Sequence, residues 1–124
     1  MHTIREAQEH VTGFNNDREW MKPSSDMKDL LLNIGEETGE AWNLIKWVDV
    51  KKQKELFAQQ AGEWEDFVGD QLYLILKIAA MAGVDAQKGF DRTMREYDER
   101  FPIEKVKGTH TNIRAGGHDG KYAA

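Results

Sequence analysis

A carboxylate lies on the apolar stripe of the most strongly periodic helix in this chain. Over residues 27–48, Met27, Leu30, Leu31, Ile34, Ala41, Leu44, Ile45 and Val48 recur at three- and four-residue spacing, which lines one face of a helix. Glu37 falls on that stripe, where a core residue is expected. At roughly 100° per residue, Glu36 and Glu37 flank the direction of Glu40, so the acids share a patch about one turn long. Such a cluster either rises in pKa and goes neutral or shares a hard divalent cation with oxygen ligands. A blander arrangement leaves Glu36 and Glu40 solvated, with only Glu37 partly buried against a Lys or Arg. A second acidic helix shifts the balance toward the metal.

That second helix is predicted from Glu63 to a C-terminal Gly83. Glu63, Asp66 and Asp70 follow a three-then-four spacing along one stripe of its N-terminal half, where the macrodipole favours anions. Asp70 precedes a densely apolar run and shares a face with Phe67, Leu74 and Met81, so it is expected to be desolvated. Packed antiparallel, the two helices bring Glu37, Glu40, Asp66 and Asp70 around a common point. Oxygen donors without sulfur or histidine select Mg²⁺ or Mn²⁺ over zinc.

The rest of the chain reads as helix. Thr3 and Glu6 spell a capping box for a first helix with Ile4, Ala7, Val11 and Phe14 on its apolar face, ending near Asn15 or Asn16. Ser24, Ser25 and Asp26 are N-cap candidates for the second helix, which runs to Trp47 or Val48. Gly35 and Gly39 interrupt that helix at a cost of up to about 1 kcal/mol each, which a close helix crossing beside the acids would explain. Residues 51–60 suit a short exposed helix or a structured link. Asp85 can cap a last helix that stops before Pro102. The second half of the helix starting at Glu63 is apolar almost all round and must be enclosed on every side, which points to partner subunits. The expected fold is an all-α four-helix bundle completed by homo-oligomerisation as a dimer or tetramer: one domain over residues 1–104, then a basic, glycine-containing tail over residues 105–124.

Composition narrows the chemistry. A chain of 124 residues with 40% hydrophobic content builds one core and has no room for a separate substrate domain. The absence of cysteine excludes disulfides, thiolate zinc sites and a cysteine nucleophile, and fits a reducing compartment. The most apolar run, residues 72–84, contains Lys77 and is far shorter than the roughly 20 residues a bilayer requires. No basic, apolar signal sequence opens the chain, so a soluble cytoplasmic protein is expected. A net charge of −5 argues against binding to a nucleic-acid polymer, though not against a small phosphorylated ligand. Cations gather after Pro102, at Lys105, Lys107, Arg114 and Lys121, and an acidic metal core with a cationic tail can hold an anion between them. No histidine follows a Glu three residues earlier, as a ferritin-like di-iron site requires. Phosphate-loop and dinucleotide motifs are absent, and the only serines, Ser24 and Ser25, serve better as caps than in a triad.

With these residues in place, the chain resembles the MazG-like all-α nucleoside triphosphate pyrophosphohydrolases. The family pattern is Glu-Glu-x-x-Glu on one helix and Glu-x-x-Asp on the next. Glu36, Glu37 and Glu40 in GEETGEAW match the first half, and Asp70 in DQLYLILKIAAMAGVD matches the Asp that opens the family's apolar helix. The stretch from Phe14 through Trp47, together with REYDERFP, is most similar to the dCTP pyrophosphatase branch. The similarity departs at the second motif: where the family has Glu three residues before Asp70, this chain has Phe67. Asp66, one residue earlier, stays on the same helical face, and Glu63 with Asp66 spells Glu-x-x-Asp one turn early. The Asn often found before the family's terminal Arg is Tyr97 here, so only Arg100 carries over as a phosphate contact.

The resemblance implies hydrolysis of a nucleoside triphosphate between its α- and β-phosphates, in the service of nucleotide-pool house-cleaning. Mg²⁺, or Mn²⁺, held by Glu37, Glu40, Asp66 and Asp70 would neutralise the phosphates, with Glu36 positioning or deprotonating the attacking water. Arg100, Lys105 and Lys107 would stabilise the departing pyrophosphate, and Trp20, Trp47 and Phe14 are the expected base and sugar contacts. A phosphoribosyl-ATP or dUTP hydrolase of the same superfamily, or a non-catalytic helical binding module with a degenerate acidic site, are the alternatives.

Overall fold

The computed structural model describes residues 2–21 and 27–120. Among them the chain is all-helical: α1 (Ile4–Asp17), α2 (Met27–Ile45), α3 (Val50–Gln59), α4 (Ala61–Met81), α5 (Ala86–Arg100) and α6 (Ile103–Val106), followed by a 3₁₀ turn at Ile113–Ala115. The N-cap candidates Ser24, Ser25 and Asp26, and the tail cation Lys121, lie outside the described residues. No single helix is long and apolar enough to cross a membrane. The chain divides into two compact units, Met1–Ala86 and Gln87–Ala124.

The first unit is built on α4, which packs against both α1 and α2. Leu74, Leu76 and Ala79 of α4 are buried, and Ala41 of α2 is buried with them as core. The helix boundaries follow from local chemistry. At the start of α1 the Thr3 hydroxyl accepts from the Glu6 backbone N–H at 3.1 Å, and the Glu6 carboxylate accepts from the Thr3 N–H at 3.2 Å, the reciprocal capping box. Those hydrogen bonds hold the Glu6 carboxyl below its ordinary pKa. Asp49 caps α3 by accepting from the Lys52 N–H at 2.8 Å. Gln60 separates α3 from α4, and its carbonyl accepts from the N–H groups of Glu63 and Trp64. The residues that end α4 form a Schellman motif: Val84 N–H donates to Ala79 O, Gly83 N–H to Ala80 O, and Gly83 takes φ +69°. Gly83 is therefore glycine for backbone reasons.

Three polar side chains fix how the helices meet. Asn15 is fully buried; its amide donates to Val11 O at 2.8 Å and its carbonyl oxygen accepts from the Tyr73 hydroxyl at 3.0 Å, tying α1 to α4. Gln71 donates from α4 to Ile34 O at 3.2 Å and to the Thr38 hydroxyl at 2.9 Å on α2. Gln8 donates to Val84 O and accepts from Ala86 N–H, both at 2.8 Å, locking α1 to the turn after α4. Beside it, Arg5 and Asp85 form an ion pair at 3.1 Å.

Two expectations need correcting. Gly35 and Gly39 are exposed, and a Cβ at either would meet nothing within 4 Å, so among the described residues no close helix crossing explains them. The segment after Pro102, which reads as an irregular tail, forms α6 and the 3₁₀ turn and then folds onto the end of α5. There His118 Nε2 lies 3.0 Å from Arg100 O, and Arg100 donates to Asp119 O at 3.3 Å. Gly120 is buried at φ +75°, where a Cβ would approach Phe101 to 2.9 Å and Arg100 to 3.0 Å.

Asn15→Leu keeps an apolar volume on α1 but strips the Tyr73 hydroxyl of its acceptor. It is expected to destabilise the protein by about 1–3 kcal/mol in urea titrations, and adding Tyr73→Phe to the Asn15→Leu variant is expected to recover part of that loss.

Candidate metal centre

The acids of α2 and α4 meet. Gln71 of α4 bonds to Ile34 and Thr38 near the middle of α2, while Glu37, Glu40, Ala41 and Leu44 of α2 share one cleft with Glu63, Asp66, Phe67 and Asp70 of α4. The matched positions run in opposite order along the two helices, so the pair is antiparallel. The cleft has a volume of about 260 Å³ and is lined by the four residues the sequence assigned to a metal, Glu37, Glu40, Asp66 and Asp70. Of these only Glu37 is part-buried, and Asp70, expected to be desolvated, is exposed because this face of α4 stays open to solvent.

Glu63 is a fifth carboxylate in the cleft, one that the sequence placed on the right stripe without assigning it to the site. The Glu63-x-x-Asp66 spacing was the signal. Both residues of that displaced motif line the cleft, and Phe67, at the position where the resembled family has Glu, contributes its ring instead.

The neighbouring acids act on Glu37. Glu37 is part-buried, and its carboxyl is held above its ordinary pKa, first by desolvation and then by the charges of Glu40, Asp70 and Glu36. The donor set is entirely carboxylate oxygen, which suits a hard cation such as Mg²⁺ or Mn²⁺. As the side chains stand, no three His, Cys, Asp or Glu groups among the described residues converge tightly enough to hold a single ion.

The remaining expected site residues lie elsewhere. Glu36 is exposed, outside the cleft wall, and acts on Glu37 only through its charge. Phe14 and Trp20 belong to an aromatic cluster on α1 and the residues after it: Phe14 packs edge-on against Trp20 and Tyr73, both at 6.0 Å. Arg18 sits 3.7 Å above the Phe14 ring and Lys77 Nζ lies 5.9 Å from the Trp20 ring. Trp47 is 86% exposed, packs edge-on against Trp42 at 5.4 Å, and adopts φ +65°, a left-handed conformation costing about 1–2 kcal/mol for a residue with a side chain. Neither aromatic group lines the acidic cleft. In the second unit Arg100 lines a cavity of its own, and Lys105 and Lys107 are exposed.

No family model, curated protein or solved structure matches this chain.

The raised pKa of Glu37 gives a pH signature. A carboxyl whose folded pKa exceeds its unfolded value binds more protons when folded, so the penalty is absent below the unfolded pKa and complete above the folded one. In metal-free buffer Glu37→Gln is therefore expected to raise the melting temperature at neutral pH and to leave it unchanged near about pH 4. Calorimetric melts at the two pH values check this.

Proposed function

We propose that the α2/α4 cleft binds Mg²⁺ and that the chain is a nucleoside triphosphate pyrophosphohydrolase of the MazG-like kind, cleaving its substrate to the monophosphate and pyrophosphate. The single observation carrying this is the meeting of Glu37, Glu40, Asp66 and Asp70 in one small cleft between antiparallel helices. The raised pKa of Glu37, due first to desolvation and then to the charges of Glu40, Asp70 and Glu36, supports it, because a cation would relieve the charge repulsion.

When bound, Mg²⁺ supplies charge neutralisation on the phosphate oxygens. Glu37, Glu40, Asp66 and Asp70 would hold it, with Glu63 on the same cleft as a further candidate. Glu36, exposed and acting on Glu37 through its charge, is the candidate to orient a water and take its proton. Phe67 lines the cleft and, in place of a carboxylate, lowers the charge available for a second ion. The expected base contacts Phe14, Trp20 and Trp47 lie outside the cleft, and the proposal rests on the carboxylates alone.

Assembly into a homo-oligomer belongs to the same proposal. Val68, Leu72 and Ile75 form an exposed apolar stripe along α4, and Leu31 and Leu32 are exposed on α2. A stripe of that length on a water-facing helix is the kind of surface a second copy covers.

A second reading, a non-catalytic helical module with a degenerate acidic site, is favoured by Phe67 and by the lack of a ready three-carboxylate grouping among the described residues. Calorimetric titration with Mg²⁺ and Mn²⁺ separates the two, since absence of binding leaves only the module. A nucleotide panel with pyrophosphate detection then tests the substrate class, and preference for phosphoribosyl-ATP or dUTP would move the assignment within the superfamily. Glu37→Gln and Asp70→Asn are each expected to cut turnover by about 100-fold or more while circular dichroism stays helical. Full activity in either variant would remove this site.

A further inference from the structure

We propose that the second unit carries a ligand pocket of its own, for a small aromatic anion: a ring bearing a phosphate or carboxylate group. Its residues are distinct from those of the acidic cleft, and it does not depend on the hydrolase proposal.

The unit carries an open cavity of about 760 Å³, within the size range of small-molecule sites. Its walls come from the end of α5 and from the folded-back segment around the 3₁₀ turn. Two aromatic residues, Tyr97 and Phe101, and two arginines, Arg100 and Arg114, line the same cavity. Thr111 and Asn112 add a hydroxyl and an amide. Aromatic walls with a few converging polar donors are the lining that fixes a planar ligand carrying one charged end.

The charged groups are held ready rather than consumed. The Arg100 guanidinium lies 5.7 Å from the Tyr97 ring and 5.1 Å from the Phe101 ring, which orients it without using its donors. Its one protein hydrogen bond among the described residues is the 3.3 Å contact to Asp119 O, longer than a typical N–H···O bond, so most of its five donors stay open. Arg114 is placed by the turn: Asn112 Oδ1 accepts from the Arg114 N–H at 3.1 Å, and Asn112 O accepts from the Gly117 N–H at 2.8 Å. The guanidinium of Arg114 makes no ion pair or hydrogen bond within the described residues.

Contacts within the unit hold the segment against the end of α5. His118 N–H donates to His110 O at 2.8 Å, the His118 ring meets Arg100 O and packs edge-on against Phe101, and buried Gly120 admits no side chain against Phe101 and Arg100. Asp119 is the only acid among the residues lining the cavity. Two guanidiniums against one carboxylate make the cavity lining net cationic.

The test uses the full chain in excess EDTA, so that divalent ions contribute nothing. Amide chemical shifts and calorimetry follow titration with phenyl phosphate, benzoate, inorganic phosphate and benzyl alcohol. Saturable binding of phenyl phosphate, weaker binding of benzoate, and shifts centred on residues 97–119 are expected. Arg114→Gln is expected to weaken phenyl phosphate binding about tenfold or more, while Asp70→Asn leaves it unchanged. Lack of saturable phenyl phosphate binding, equal affinity in the Arg114→Gln protein with its helical content intact, or shifts centred on residues 37–70 would each overturn the pocket. Inorganic phosphate binding as tightly as phenyl phosphate would overturn the aromatic part of the assignment. A negative result leaves the Mg²⁺ titration of the acidic cleft unaffected, so the two proposals fail separately.

Discussion

The antiparallel seam between α2 and α4 governs the first unit. Gln71 reaches across it to Ile34 and Thr38, and apolar burial along it is carried by Ala41 on one side and by Leu74 on the other. That register places Glu37 and Glu40 opposite Glu63, Asp66 and Asp70. Sliding either helix by one residue would rotate its acids about 100° away from the seam. The hydrogen bonds and the small side chain of Ala41 are therefore also what bring the charges together.

The seam sets apolar packing against like-charge repulsion. Burial of the α4 core favours closing it, whereas closing it crowds carboxylates and lifts the pKa of Glu37. A chain selected only for stability has cheaper solutions at those positions, since an apolar or amide side chain of similar size carries no such penalty. Retained strain of this kind is common where a group awaits a ligand, and it is consistent with the metal proposed for the cleft. Trp47, exposed and in a left-handed backbone conformation, is a second feature that stability alone does not favour.

In the second unit the order of cause is reversed. Its helix α5 buries no residue fully, and the fold there depends on polar turns, from the Asn112 cap to the Gly120 approach. Short-range hydrogen bonds convert a basic, glycine-rich stretch into a wall facing Tyr97, Arg100 and Phe101. The glycines that read as signs of irregularity are the residues that permit the close return of the chain.

Local chemistry was legible from the sequence alone. Helical periodicity, the Thr3–Glu6 capping box, the Gly83 terminus and the carboxylate stripes of both acidic helices all follow from spacings within a few residues, which the chain encodes directly. Residue spacing even placed Glu63 beside Asp66 on the right face. What only the tertiary structure decided were relations between distant positions. These include the buried Asn15–Tyr73 bond, the antiparallel register that collects five acids in one cleft, and the return of residues 110–120 onto Arg100. Such contacts depend on how side chains far apart in the chain fit one another, and a helical pattern specifies which face is apolar without specifying which partner that face will meet.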